Sequence, residues 1–282
     1  MATNTSPNPR WKELIADGIA KGFKEGEKTS VLYYPLATVT PGTPPQPHVR
    51  YVVHRGFVNE QRSKDSPSGV EPYDKDFGSS VCLLTTTDVR APKAQQMVET
   101  AKQGGANGEI SWWMESSQLQ FRISGLFHLL PTPSHPLFKD FPKERLAPPS
   151  SSSSSSSSKP FDWAQERTRV YEKLSPGLLA SFARPVPGSE HPNASKLEGG
   201  PGEGTEGKDE KNSPWPLELP QPGKEENEEQ KRLLAESEKN FALLVFEPYQ
   251  VDLVDLGRDQ RSIFERKGDG PNCEWSERRV VP

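Results

Sequence analysis

The residues most able to do chemistry form one short run, in which hydroxyls are followed by two cations. An apolar stretch at residues 81–84 (VCLL) leads into Thr85, Thr86, Thr87 and Asp88, and then to Arg90 and Lys93. The apolar stretch reads as a buried strand. The threonines and Asp88 suit a turn, or the N-cap of a helix carrying Arg90, Lys93 and Met97. Hydroxyls and helix N–H groups converging on one point, with two cations beside them, make a site for a phosphate. A capped surface helix with two solvated basic residues satisfies the same pattern. The segment alone leaves both readings open.

Other elements have to hold that run in place. After Gly104-Gly105, strands are expected at 109–114 and 119–130, separated by ESSQ. The second alternates cleanly, with Phe121, Ile123, Gly125, Phe127 and Leu129 on one face and Arg122, Ser124, Leu126, His128 and Leu130 on the other. Trp112 and Trp113 are neighbours on a strand, so one is expected inside and the other at a subunit interface. Upstream, Asn8 and Pro9 are read as N-cap and first residue of a helix. Trp11, Leu14, Ile15, Ile19 and Phe23 give it one apolar face up to about Gly26. A hairpin follows, with strands at 31–39 and 48–58 around a Pro/Gly turn, and then a polar surface loop at 59–79.

Past Leu130 the pattern breaks. Serine fills 150–158, a flexible insert. Helical character returns at 161–182, where Trp163, Val170, Tyr171, Leu174 and Leu178 are the expected buried residues. Residues 189–231 are rich in Gly, Pro, Glu and Lys and read as disordered, with Trp215, Leu217 and Leu219 as the side chains able to dock. Closing strands are expected at 241–245, 249–256, 261–266 and 275–281.

Composition bounds the answer. The 282 residues are 32% hydrophobic, with 29 Pro and 22 Gly, and the mean hydropathy is −0.78. The apolar residues are concentrated rather than spread, which points to one compact core carrying long insertions. A net charge of −4 gives no case for a nucleic-acid partner or a polybasic membrane surface. Cys82 lies in an apolar strand and reads as a buried thiol, so neither a disulfide framework nor a metal site is indicated. No apolar stretch approaches the roughly 20 residues that span a bilayer, and the first residues lack an apolar signal core. A cytoplasmic protein is expected, with the sequons at Asn4 and Asn193 accidental. His48, His54, His128 and His135 offer no pair at metal-ligand spacing, and no Ser/His/Asp or Cys/His arrangement stands out.

The series ATV, HVRYVVHRGF, LLTTTDVRAPK, ISWWM and LQFRISG, in that order, resembles the pyridoxamine 5'-phosphate oxidase-like family, the FMN-binding split barrels. The likeness covers roughly residues 10–137 and resumes more weakly at 161–188 and 240–282, where the tail WSERRVVP is similar to a W…R…P signature. It implies a mainly β fold with flanking helices (α+β), an FMN-binding split β-barrel with long disordered insertions. The chain then divides into the main part of the barrel at 1–137, a Pro/Ser-rich flexible insert at 138–160 and a helical connection at 161–188. A disordered acidic Gly/Pro-rich insert at 189–238 and barrel-completing strands at 239–282 follow.

The resemblance further implies FMN as cofactor, a homodimer with the flavin site at the subunit interface, and a small-molecule substrate. By motif, Arg50 and Arg55 take the ends of an Arg-x-x-x-x-Lys segment, with Arg55 in place of Lys. Thr86 and Thr87 match a strand-end pair, Lys93 a helix lysine and Gln120 a glutamine aimed at the flavin. Arg261 resembles a C-terminal arginine of the site. Where the family has Ser-Arg before the lysine, this chain has Ala91-Pro92, and Arg90 is expected to supply the missing charge. The substrate motifs of the true oxidases, a Tyr…Arg…Ser series and an Arg-x-His, are not found. The expected activity is an oxidase whose flavin takes a hydride from a small amine and passes the electrons to oxygen. A non-catalytic flavin- or haem-binding barrel is the alternative. No catalytic side chain is assigned.

Overall fold

The computed structural model describes residues 8–27, 29–61, 71–151, 159–192 and 213–282. Its architecture is organised by strand β9 (Phe241–Asp255), which strand β8 (Leu119–Leu130) accompanies along its length. The other edge of β9 is shared. Strand β6 (Leu83–Asp88) pairs with Phe241 to Phe246, and strand β10 (Gln260–Lys267) with Gln250 to Asp255. The switch falls around Pro248, which has no N–H to give to a ladder, and the register against β8 shifts there, between Ser124 and Gly125. The two expected strands at 241–245 and 249–256 are therefore one bulged strand.

Strands β1 (Tyr33–Thr40), β2 (Gln46–Val53), β7 (Asn107–Met114) and β11 (Glu274–Val280) extend the sheet in the order β11-β10-β9-β8-β7-β1-β2. The short strand β3 (Gly56–Phe57) pairs with β6, and β4 (Glu60–Gln61) with β5 (Glu71–Pro72). The sheet is mostly antiparallel and does not close on itself.

Two apolar clusters lie on opposite faces of this sheet. The inner one is built on the row Leu36, Ile110, Ile123, Val251 and Phe264, all buried and in register across five strands. Helix α1 (Arg10–Lys24) closes it with Trp11, Ile15 and Ile19, and Trp11 meets Trp275 edge-on at 5.1 Å. The cap of α1 is Pro9 rather than Asn8, whose side chain instead accepts from Lys12 Nζ. Gly108 and Gly125 face each other across β7 and β8, and a Cβ on either would strike the ring of Phe127 or Phe246. Those rings fill the space the glycines leave, 4.6 Å apart.

The outer cluster packs Leu84, Leu130, Leu243 and Val245 against a helical layer. That layer is α3 (Lys143–Leu146), α4 (Trp163–Tyr171), α5 (Pro176–Phe182) and α6 (Glu228–Asn240). The helix expected over 161–182 is thus two, divided where Ser175 caps α5 and Pro176 opens it. Helix α6 falls within residues read as disordered. Its apolar content is low, but Asn227 caps it and Leu234 is buried against the outer cluster. The segment before it also docks, since Leu219 is buried and its N–H donates to Pro176 O. What remains of the second insert, 193–212, lies outside the described residues, as do 62–70 of the polar loop, 152–158 of the serine run and both sequons. Among the described residues no helix is long and apolar enough to cross a membrane.

Candidate functional site

The threonines lie inside β6 rather than in a turn, and the helix begins later than expected. Helix α2 (Pro92–Ala101) starts with Pro92 at its first position, and its N-cap, Ala91, has no side chain able to cap. Pro92 has no N–H and the Ala94 and Gln95 N–H groups donate to Ala91 O, so the Lys93 N–H is the donor of this first turn that a ligand could use. Arg90 precedes the helix and is already committed. Its guanidinium grips both oxygens of Asp88, at 3.0 and 2.7 Å, and reaches the carbonyls of Phe182 and Arg184. It ties the helical layer to the barrel and is not the replacement charge expected of it.

Arg50 and Lys93 are brought together. Arg50 lies on β2 opposite Leu36, so its side chain continues the inner row and meets α2. It donates to Leu36 O, to Thr38 Oγ1 and to Gln96 Oε1, all neutral acceptors. Burial pulls the Lys93 ammonium below the usual lysine range, and the neighbouring charge of Arg50 lowers it further. Asp88 opposes this, but Arg90 holds both its oxygens. Burial also lowers Arg50. Two like charges side by side, half out of water and without a free carboxylate, are costly unless an anion joins them.

Arg55 lies just past the end of β2, and its backbone N–H donates to Leu84 O, beside Thr85. Burial lowers its pKa, with Tyr33 and Tyr34 opposing. Arg55 Nε and Thr85 Oγ1 are both buried and without a hydrogen-bond partner among the described residues. Such atoms are costly when left bare and suit the polar groups of a ligand. Thr86 and Thr87 point to opposite faces of β6, as neighbours on a strand must, and Thr87 Oγ1 is spent on Asp88 O.

Gln120 and Arg261 are elsewhere. They share one register row on the outer face of the sheet, with Val254 between them. Arg261 forms a two-point pair with Asp252, at 2.9 and 2.8 Å, which raises its pKa. Trp113, in register with Gln120, is on the same face and exposed, while Trp112 is fully buried. Sequence reasoning missed Thr38 and Gln96. Gln96 follows Lys93 by three residues, the spacing that shares a helix face, and that signal pointed to it.

The residues present therefore fit the phosphate end of FMN, with two cations held by neutral partners at an uncapped helix start. The groups expected at the flavin ring are not on that side of the sheet. An open, mostly antiparallel sheet with a cationic helix start is the arrangement expected of a split barrel.

Comparison with known proteins agrees. Residues 8–131 match the family described as pyridoxamine 5'-phosphate oxidase, FMN-binding domain. A pyridoxamine 5'-phosphate oxidase-related, FMN-binding protein from Nostoc punctiforme shares the fold. It is 21% identical with a TM-score of 0.54, over 98% of this chain and 99% of that one. PhzG from Burkholderia lata, solved with tetrahydrophenazine-1-carboxylic acid, is 12% identical with a TM-score of 0.45, over 100% of both chains. General Stress Protein 26 from Bacillus anthracis is 10% identical with a TM-score of 0.34, over 88% of this chain and 95% of that one. No curated protein matches the chain at a significant level.

Proposed function

We propose that this protein is an FMN-dependent oxidoreductase of the pyridoxamine 5'-phosphate oxidase type, acting on a small amine with oxygen as electron acceptor. The observation that carries the reading is the Arg50–Lys93 pair at the uncapped start of α2, which holds two positive charges ready for a phosphate. When bound, FMN supplies hydride acceptance and electron transfer to oxygen. The chain's own residues bind and orient. Arg50 and Lys93 neutralise the phosphate, and Arg55 Nε and Thr85 Oγ1 are a buried donor and a buried hydroxyl left unused among the described residues.

In this proposal the working unit is a homodimer. Tyr33, Val49, Tyr51 and Trp113 are exposed. Val49 and Trp113 share the outer face with Gln120, and Tyr51 follows Val49 by two residues on β2. An aromatic surface of this kind is the composition of a subunit interface. Because β2 is an edge strand, a second copy seated on that face reaches round the edge to Arg50 and brings its own Gln120 toward the flavin ring.

One observation favours the alternative of a non-catalytic flavin carrier. A second anion site for substrate would need Arg258, Arg278 or Arg279 to converge. Instead Arg258 pairs with Asp255, Arg278 lies 3.9 Å from Glu265 and Arg279 donates to Gln260. For the haem form of that alternative, His128 lines the cleft beside α2, but its ring is already engaged. His48 is bonded to Thr40, His128 to Glu247 and His135 to the Leu137 N–H, and His54 is buried among Tyr34, Phe57 and Trp112.

The test is the visible spectrum of the purified protein, with identification of any small molecule released by heat. Released FMN and oxygen-dependent turnover of pyridoxamine phosphate or another small amine support the enzyme reading. FMN without turnover of any amine supports the carrier. A colourless protein that ignores added FMN overturns both.

A further inference from the structure

Arg50, Thr38 and Gln96 close a hydrogen-bonded ring. Arg50 Nη1 donates to Thr38 Oγ1 at 2.5 Å and Nη2 to Gln96 Oε1 at 3.1 Å, and Thr38 Oγ1 lies 2.6 Å from Gln96 Oε1. A guanidinium can only donate, so the Gln96 atom facing it is the oxygen. The Thr38 hydroxyl, which accepts from Nη1, gives its own proton to that same oxygen. Every proton in the ring is thereby assigned, and no member can rotate without breaking a bond.

The ring is also partly buried and braced from two sides. Thr38 is 2% exposed on β1 and Gln96 9% exposed on α2, so strand and helix grip the guanidinium together. Three of its N–H groups go to Leu36 O, Thr38 and Gln96. Of the five that a guanidinium carries, two remain without a protein partner among the described residues. Gln96 lies one turn beyond Lys93, so the helix that supplies the second cation also aims the first. The brace is neutral, and that matters. A carboxylate in place of the Gln96 amide would pair with Arg50 and cancel the charge the site presents.

We propose that Thr38 and Gln96 are positioning residues. They aim the unspent N–H groups of Arg50 at the flavin's phosphate, and so set a preference for FMN over phosphate-free riboflavin. The inference rests on reading the start of α2 as a phosphate site.

The test is to strip the full-length protein of flavin and titrate it with FMN and with riboflavin, following flavin fluorescence, with thermal melting alongside. Wild-type protein should favour FMN by at least tenfold. Thr38→Val keeps the shape and suits a strand, yet removes both hydrogen bonds of the hydroxyl, the one from Arg50 and the one to Gln96. It should cut that preference about tenfold while riboflavin affinity holds and the protein still melts in one cooperative transition. Thr38→Ser should restore the preference, and Gln96→Glu should abolish it. A wild-type protein that does not distinguish the two flavins overturns the phosphate reading itself. A wild type that prefers FMN, with Thr38→Val and Gln96→Glu variants that prefer it as strongly or lose both flavins alike, overturns the positioning role and leaves the phosphate site standing.

Discussion

Arg50 and Gln120 occupy opposite faces of one continuous sheet. Arg50 ends the row Leu36, Ile110, Ile123, Val251 and Phe264, whose other members form the inner core, whereas Gln120 shares its row with exposed Trp113 and with Arg261. The side-chain period of a strand is two, so no small adjustment brings both to one ligand within a single chain. If both serve one flavin, they come from different copies. Tyr51→Glu places a charge on the most exposed aromatic of the outer face, 74% accessible. It should yield a monomer by light scattering, with FMN affinity lowered at least tenfold. A variant that stays dimeric, or a monomer that holds FMN as tightly, would count against a shared site.

Removing both cations tests the phosphate assignment directly. Each charged hydrogen bond to a phosphate contributes about 1.5–3 kcal/mol. Arg50→Ala combined with Lys93→Ala should therefore lower FMN affinity by several kcal/mol and strip the protein of bound flavin. The fold should survive, because burial already disfavours the charged form of both side chains. Far-ultraviolet circular dichroism and the visible spectrum read the two effects separately. A folded double variant that purifies fully loaded with flavin would remove the phosphate from this site.

Lys93 gives the site a pH dependence of known sign. Its pKa is lowered by burial and then by Arg50, so it loses its proton before an ordinary lysine would. Phosphate binding needs the protonated form. FMN affinity should be constant at neutral pH, then fall as pH rises through the lowered lysine pKa and on toward its ordinary value of 10.5. Arg keeps its charge across that range, so Lys93→Arg should flatten the decline. FMN titrations from pH 7 to 10.5 give the answer, and an unchanged slope in the variant would show that Lys93 is not the titrating group.

The barrel was legible in the sequence because its strands obey their period. Strand β8 has the two faces its pattern predicts, since Phe121, Ile123, Gly125 and Phe127 alternate with Arg122, Ser124, Leu126 and His128. One of the two neighbouring tryptophans was expected inside, and it is Trp112, while Trp113 is exposed. The site was legible only where the chemistry is local. Pairing Arg50 with Lys93 followed from motif, but the commitment of Arg90 to Asp88 depends on carbonyls some ninety positions away, at Phe182 and Arg184. Asn59 illustrates the same limit. At φ 63°, it holds the loop after β3 by donating to the carbonyls of Asp74, Phe77 and Gly78, a role that no local pattern announces. Helix α6 was missed because its support is tertiary. Arg167 of α4, 2% exposed, reaches over to bond Phe241 O and Glu238 at its end.

The second buried charge cluster is structural and makes its own prediction. Glu247, 2% exposed on β9, takes Arg266 at 2.6 Å, Arg145 at 2.9 Å and His128 at 2.9 Å. It thereby fastens α3 and β10 to the middle of the sheet. Burial by itself would push the carboxyl up, but the hydrogen bonds from His128 and Arg266 and the charges of Arg145 and Arg266 outweigh it and hold it below the ordinary 4.5. A carboxylate with a depressed folded pKa contributes stability that is present above its unfolded pKa and lost as pH falls through the folded one. Glu247→Ala takes the buried carboxylate from Arg266 and leaves it only the exposed Asp269 at 3.0 Å, which should cost up to about 3–5 kcal/mol near neutral pH. Glu247→Gln, which keeps the shape, should cost less. Below about pH 4.5 the wild-type advantage over Glu247→Gln should shrink, because the carboxyl of the unfolded chain takes up its proton first and the folded one follows only at lower pH. Melting curves from pH 7 to 3 measure this, and a gap that stays constant or widens in acid would show that the cluster does not hold the fold through its charge.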